Sequence, residues 1–371
     1  MRNDEAVGAY KTWTFRAYRK NRRMIPARQR NDHERARAVN DPPFRFPWTV
    51  LLFLLLSLAA PPAAADWGPL ADRLAADGFD REGVSSLFTH PDALFEPDAM
   101  AGKLRTLIRS RSAERDAAAR PKAYQRDYLK PWAIARAMAY VTENRGLLEE
   151  IARRYGVSGE IVVAILQLET RLGANTGTRR VFNRLASMAL AGDLDLIRPY
   201  LNLGVLTAED EAYARRRCRE KADWAYRELT ALLDYSRRNG ADPLSIRGSL
   251  YGAIGLCQFM PSNIFIYGVD ADGDGRIDPF AKPDALHSIA NYLHGHGWRE
   301  GLAREDQHRL IFSYNNSTIY ANTVLAVADK LRERRLGRLL PRGAPPAPAV
   351  SVLTRTRPLH ILNLTKMPAA E

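Results

Sequence analysis

Cysteine is scarce in this 371-residue chain: only Cys218 and Cys257 are present. One disulfide or two separate thiols are the alternatives, because a sequence carries no distance between two sulfurs. Neither cysteine closely follows an apolar run, so a lipid-attachment cysteine is absent. Histidines number seven, and His287, His294 and His296 lack the spacing of a zinc site. Long hydrophobic runs are missing too. The stretch Trp48–Ala60 has thirteen residues, whereas a membrane-spanning helix needs about 20. Alternating polar and apolar residues are few and no internal repeat is visible, which argues against a β-rich architecture and a solenoid.

What is present is ordinary globular composition, 46% hydrophobic and 26% charged, enough to bury a sizeable core. Residues 1–47 form an arginine-rich leader, the short apolar run follows, and Pro61-Pro62 and Ala63-Ala64-Ala65 close it. That order is expected of a secretory signal cut before Asp66, giving an exported, periplasmic protein. An uncleaved N-terminal anchor is the alternative. Twelve of the 55 Lys+Arg and five of the 42 Asp+Glu lie in residues 1–65, so the remainder carries 43 against 37 and its formal charge falls from +13 to +6. The basicity that would suit nucleic acid belongs to the leader, so no nucleic-acid partner is expected. A modest positive balance suits an anionic polymer or peripheral contact with a membrane or cell wall.

From Asp66 to about Leu336 the apolar residues recur at three- and four-residue steps, the signature of a mainly α fold. An N-terminal helical segment is expected over 66–120 and a larger helical domain over 121–336. A Pro/Ala-rich, flexible tail is expected over 337–371. Pro131 to Arg154 reads as one long helix with Ile134, Met138, Val141, Leu148 and Ile151 on its apolar side. Gly156 breaks it. Ser158 is the expected N-cap of a helix from Gly159 to Leu172, stopped by Gly173. Further helices are expected near 208–238, 284–296, 305–313 and 319–335.

The helix from Gly159 is apolar nearly all round, and Glu169 is out of place in it. Leu166, Ile165 and Val162 precede it by three, four and seven residues, so its carboxyl shares an apolar stripe. Desolvation disfavours the charged carboxylate and raises its pKa, as a general acid near neutral pH requires. The alternatives are exposure to water or pairing with Arg153 or Arg171.

Five segments, ARRYGVSGEIVVAILQLETRLGANTG (152–177), SLYGAIGLCQFMPSN (249–263), the aspartate-rich loop from Asp270, NYLHGHGW (291–298) and SYNNS (313–317), together resemble the lytic murein transglycosylase B family over about 121–333. The resemblance implies a helical catalytic domain of the lysozyme-like α+β superfamily over 121–336. It also implies cleavage of the linkage between N-acetylmuramic acid and N-acetylglucosamine in peptidoglycan strands. It places the catalytic glutamate at Glu169 and the substrate-binding residues at Ser249, Gln258, Tyr314 and Asn315. The chain departs from the pattern at Cys257, where a small or turn-forming residue is expected, and matches only loosely over 178–223. Chemically, Gln258, Tyr314 and Asn315 offer donors and acceptors for acetamido and hydroxyl groups, and Gly252 and Gly255 would let backbone come close to a ligand.

Residues 270–278 read DADGDGRID, with Asp270, Asp272 and Asp274 at the first, third and fifth positions and Gly275 at the sixth, as an EF-hand-like calcium loop requires. The twelfth position holds Ala281, not Glu. The resemblance implies closure by the later Asp284, with the Arg276 carbonyl as backbone ligand and calcium as a structural ion that the chemistry does not need. A turn held by Asx contacts is the alternative. For the whole protein three readings stand: a lytic transglycosylase forming 1,6-anhydro-muramic acid ends, a hydrolytic muramidase, and a calcium-dependent glycan-binding module without turnover. Oligomeric state is not legible.

Overall fold

The computed structural model describes residues 65–115 and 123–339. The arginine-rich leader with its expected signal, and the tail beyond Leu339, lie outside the described residues. Two short helices, α1 (Gly68–Ala76) and α2 (Arg81–Thr89), lead into the longer α3 (Asp98–Arg115). Asp80 starts α2 by accepting the Gly83 amide at 2.9 Å. Next come α4 (Pro131–Glu143), α5 (Arg145–Tyr155), α6 (Gly159–Thr170), α7 (Val181–Leu190) and the single turn α8 (Leu194–Ile197). The 32-residue α9 (Ala208–Asn239) follows, then α10 (Pro261–Tyr267), α11 (Lys282–Gly295), α12 (Arg304–Tyr314) and α13 (Thr318–Leu339). Among the described residues the only sheet is a two-residue pair, β1 (Arg179–Arg180) against β2 (Arg247–Gly248), antiparallel with Arg179 opposite Gly248. No helix among them is long and apolar enough to cross a membrane.

Two buried helices organise the packing. Around α6 gather α4, α5, α11 and α13, while α1, α3 and α9 pack on α7. One apolar cluster runs through both groups, from Leu70 to Leu331. The cores therefore meet, and the β1–β2 pair with the chain after it lies at the join.

Three local expectations are corrected. The single helix expected from Pro131 to Arg154 breaks at Asn144 (φ −109°, ψ 27°), whose side-chain amide donates to the Tyr140 carbonyl at 2.8 Å. Asparagine competes for backbone in this way, and the halves face different neighbours: α4 packs on α6 and α13, α5 on α6 and α11. Ser158 adopts the extended backbone of an N-cap, but its hydroxyl makes no capping bond and is buried without a partner. Finally, α13 continues through Leu339, past the expected start of the tail.

Candidate active site

From Glu160 to Leu168 every residue of α6 is buried. Glu160, 1% exposed, is paired by Arg335 of α13, with Nε 3.1 Å from its carboxylate. Glu169, the penultimate residue of the helix, is half-buried and has no such cation among the described residues. Its Oε1 accepts a 2.6 Å hydrogen bond from the Tyr320 hydroxyl. Burial raises its pKa to about 7, more than the Tyr320 bond lowers it. The group can thus be protonated or charged close to neutrality. Neither Arg153 nor Arg171, the alternative partners, acts on its charge.

The chain turns away sharply after Glu169. Arg171 (φ 52°) and Leu172 (φ 63°) are both left-handed before Gly173 (φ 89°) is reached, and the Leu172 amide returns to the Leu166 carbonyl at 3.2 Å. The helix stop therefore falls on two non-glycine residues, each costing about 1–2 kcal/mol relative to the right-handed form. Gly173 is only the third of the run. Thr170 braces the turn by accepting the Gly173 amide at 3.0 Å.

Facing this turn is the loop after β2. Isolated bridges join Gly248 to Ile254 and Ile254 to Phe259, folding the segment onto itself. Ser249 closes one end: its amide donates to the Ala253 carbonyl at 2.8 Å and its Oγ accepts the Ala253 amide at 3.0 Å. Gly252 and Gly255 serve the fold here, a different use from the expected approach to a ligand. A side chain at Gly255 (φ 74°) would stand 2.2 Å from the Pro279 carbonyl, and one at Gly252 (φ 92°) 2.8 Å from Leu185. Gln258 is itself left-handed (φ 50°) and donates from Nε2 to the Gly255 and Thr176 carbonyls at 2.8 and 3.1 Å. Only its side-chain carbonyl oxygen is then left to receive a ligand donor.

Tyr314, at the end of α12, donates its hydroxyl to the Cys257 carbonyl at 2.6 Å. Burial holds that phenol well above its usual pKa, with Cys257 and Glu169 as neighbours. Asn315 is exposed, extended (φ −140°), and ends the helix. Of the expected site residues, Tyr314 stands near Glu169 and braces the loop that carries Ser249 and Gln258, while Asn315 is exposed at the end of α12. Cys257, the departure from the family pattern, packs as an apolar residue, 1% exposed, and burial pushes its thiol up to about 12. Both cysteines are free and buried, which settles the disulfide question against a bridge.

Tyr320 was missed from the sequence. A readable signal existed: Tyr320, Val324, Val327 and Leu331 follow one face of α13 and are all buried. A tyrosine on such a stripe must find a partner for its hydroxyl. Sequence spacing does not say that the partner is Glu169.

At the aspartate loop, ligand atoms of Asp270, Asp272 and Asp284 lie within 4.8 Å of one another. Asp284, 1% exposed in the first turn of α11, ties the loop ends by accepting the Ala271 and Asp278 amides at 2.8 Å each. Asp270 accepts from Gly273 and Gly275. Asp274 lies outside the three-carboxylate group, with its Oδ1 taking the Arg276 amide at 2.8 Å. The donor set, three carboxylates converging without a cationic side chain in the group, fits a hard divalent ion. His287, His294 and His296 contact Tyr155 and Tyr292 and do not form a metal group.

Residues 63–307 match the family described as Transglycosylase SLT domain. Over 178 residues, 48% of this chain, the sequence is 32% identical to the membrane-bound lytic murein transglycosylase B of Escherichia coli strain K12; the match spans 42% of that relative's length. The fold is similar to the soluble lytic transglycosylase SltB1 of Pseudomonas aeruginosa, with TM-score 0.54, 24% identity, and 72% of this chain and 98% of that one covered. It is also similar to the Escherichia coli lytic transglycosylase SLT35 in complex with calcium, with TM-score 0.54, 23% identity, and 75% and 96% covered. The mainly helical, lysozyme-like fold expected from the sequence is the one observed.

Proposed function

Because this chain belongs to the transglycosylase SLT domain family, we propose that it is a lytic transglycosylase that cuts the N-acetylmuramic acid to N-acetylglucosamine linkage of peptidoglycan, with Glu169 as its only acid/base group. The supporting observation is a carboxyl drawn into an apolar helix and raised to about 7, whose one hydrogen-bond partner among the described residues is the Tyr320 phenol. Protonated Glu169 would give its proton to the glycosidic oxygen. As carboxylate it would then take a proton from the sugar's own carbon-6 hydroxyl, which closes the 1,6-anhydro ring. A tethered hydroxyl carries the entropic advantage of an intramolecular nucleophile.

Ordinary glycosidases need two carboxylates. The other acids near the motifs are engaged elsewhere: Asp193 caps α8, Asp195 pairs with Arg198 and Arg215, and Asp242 accepts the Leu244 amide. That distribution favours the lyase over a hydrolytic muramidase. A raised carboxyl pKa disfavours a glycan-binding module, for which an ionisable group in an apolar stripe has no use. Ser249, Gln258 and Tyr314 would shape the groove wall, and Asn315 would meet the sugar at its rim.

Calcium at Asp270, Asp272 and Asp284, joined by Asp274 and the Arg276 carbonyl after a small loop rearrangement, would brace the fold and take no part in the chemistry. Residues 121–336 would form the catalytic domain carrying this loop, and 66–120 an N-terminal helical segment. We place the protein outside the cytoplasm, against glycan strands. Digestion of purified cell-wall sacculi followed by mass spectrometry tests the reading. Anhydro ends, one water lighter than reducing ends, are expected. Predominantly reducing ends would make the enzyme a hydrolase, and sacculi bound but undigested would make it a binding module.

A further inference from the structure

Helix α3 and the first half of α9 carry many cations, and most are satisfied within the protein. Arg105 donates to the Tyr200 carbonyl at 2.7 Å, Arg111 pairs with Glu209 and Asp210, and Arg215 pairs with Asp195 and Glu211. Lys103 differs. Its half-buried ammonium has no acidic partner among the described residues and stands 4.9 Å from the centre of the Tyr251 ring. Burial first, and the like charge of Arg217 second, push its pKa below the ordinary lysine value. Arg217 reaches Glu220 through Nη1, yet its Nε is buried with no acceptor.

Two cations that bear on one another, with unfilled donors between an aromatic face and two packed helices, are stabilised when an anion joins them. The place matters as well. Tyr251 belongs to the turn that Ser249 closes, its amide 3.4 Å from the Ser249 hydroxyl, and its own hydroxyl packs on α3, 3.7 Å from where Gly102 would carry a Cβ. Lys103, Arg217 and Tyr251 therefore adjoin the loop that faces Glu169. Lys103 comes from α3 and Arg217 from the stretch 178–223, which resembles the family only loosely, whereas Tyr251 lies in a segment that carries the resemblance.

We propose that Lys103, Arg217 and Tyr251 form a carboxylate-binding site beside the groove, which takes a free carboxylate of the peptide attached to the glycan strand. The inference rests on peptidoglycan as the substrate. The side chains match that ligand: an ammonium and a guanidinium supply charge-assisted donors, and the Tyr251 ring gives the peptide stem an apolar wall.

The test separates this site from the chemistry. The inactive Glu169→Gln protein is titrated with L-alanyl-D-glutamate by calorimetry, alone and with Lys103→Met, Lys103→Arg or Arg217→Met added. Binding should weaken about tenfold in the two Met variants, since hydrogen bonds to charged groups contribute about 1.5–3 kcal/mol. It should persist in Lys103→Arg and decline with added salt. In parallel, the otherwise wild-type enzyme and its Lys103→Met variant digest sacculi with peptides intact and sacculi stripped of peptides by an amidase. Lys103→Met should raise KM about tenfold more on the first substrate than on the second. Dipeptide that does not bind, or binds all variants equally, overturns the proposal, as does an equal KM change on both substrates. Dipeptide binding that responds to Lys103 in an enzyme that cleaves neither substrate counts against the Glu169 mechanism and in favour of this site.

Discussion

Helices α6 and α7 each bury a charged residue near the same loop, and the two are provided for in opposite ways. Arg184 of α7 is fully buried; its Nη1 meets Glu96 at 2.7 Å and Asp98 at 2.9 Å, and its Nε meets the Leu250 carbonyl at 2.8 Å. Flanking it, Asn183 donates to the Asp92 carbonyl and Ser187 accepts the Glu96 amide. A polar row thus straps the segment 92–98 to α7 and to the loop that carries Ser249. Glu169 of α6 receives one phenol and no cation. A buried charge set against opposite charges, as Arg184 is against Glu96 and Asp98, is structural, whereas one given no counter-ion has its protonation equilibrium moved to where chemistry can use it.

The comparison is broken most strongly at Glu169. Glu169→Gln keeps the shape and removes the proton, so turnover of sacculi should fall about 10²–10⁴-fold; retention of more than about a tenth of the rate would exclude Glu169 as catalyst. Stability should move the other way. The folded pKa, about 7, lies above the ordinary value of 4.5. The wild-type carboxyl therefore favours the fold most below pH 4.5 and loses that contribution as pH rises through about 7. Above pH 8 the Gln variant should be more stable in urea by on the order of 2 kcal/mol, with no gain at pH 4.

At Arg184 the effect should appear in folding. Arg184→Met strands Glu96 and Asp98 and frees the Leu250 carbonyl. Breaking a buried pair costs about 3–5 kcal/mol, and the urea midpoint should fall accordingly. An unchanged midpoint would show the strap to be ornamental.

Tyr320→Phe moves Glu169 further toward isolation. Since the phenol bond lowers the Glu169 pKa, its loss should shift the alkaline limb of the pH–rate profile up by about one unit. A downward shift would contradict the assigned donor. The smallest change is expected at the third cluster of acids, where backbone amides already engage Asp270 and Asp284. Millimolar calcium should raise the melting temperature by a few degrees at an extracellular-type affinity of about 10⁻⁴–10⁻³ M. Asp284→Asn should remove that response.

Much of this was legible beforehand because it depends on local chain chemistry. Periodicity located α6, α9, α11, α12 and α13 to within a few residues, and the misplaced carboxylate in α6 pointed to Glu169. The break at Asn144 was not legible, since either continuation satisfies the same apolar spacing and the choice is made by neighbours on α6, α11 and α13. Gly252 and Gly255 were read as places of close approach, and the neighbours that come close are Leu185 and Pro279. A glycine in a sequence signals a missing Cβ without naming what comes near it.

By itself, the sequence determined the helical class, the buried helix with its lone acid, the run of aspartates and the family resemblance. Each depends on residue type and on separations along the chain. Tertiary structure decided which long-range partner each polar group received: Tyr320 for Glu169, Arg335 for Glu160, Glu96 and Asp98 for Arg184, and, among the described residues, no acid for Lys103. Desolvation and Coulomb energies depend on distances through space, and residues about 150 apart in the chain, such as Glu169 and Tyr320, acquire theirs only when the helices pack.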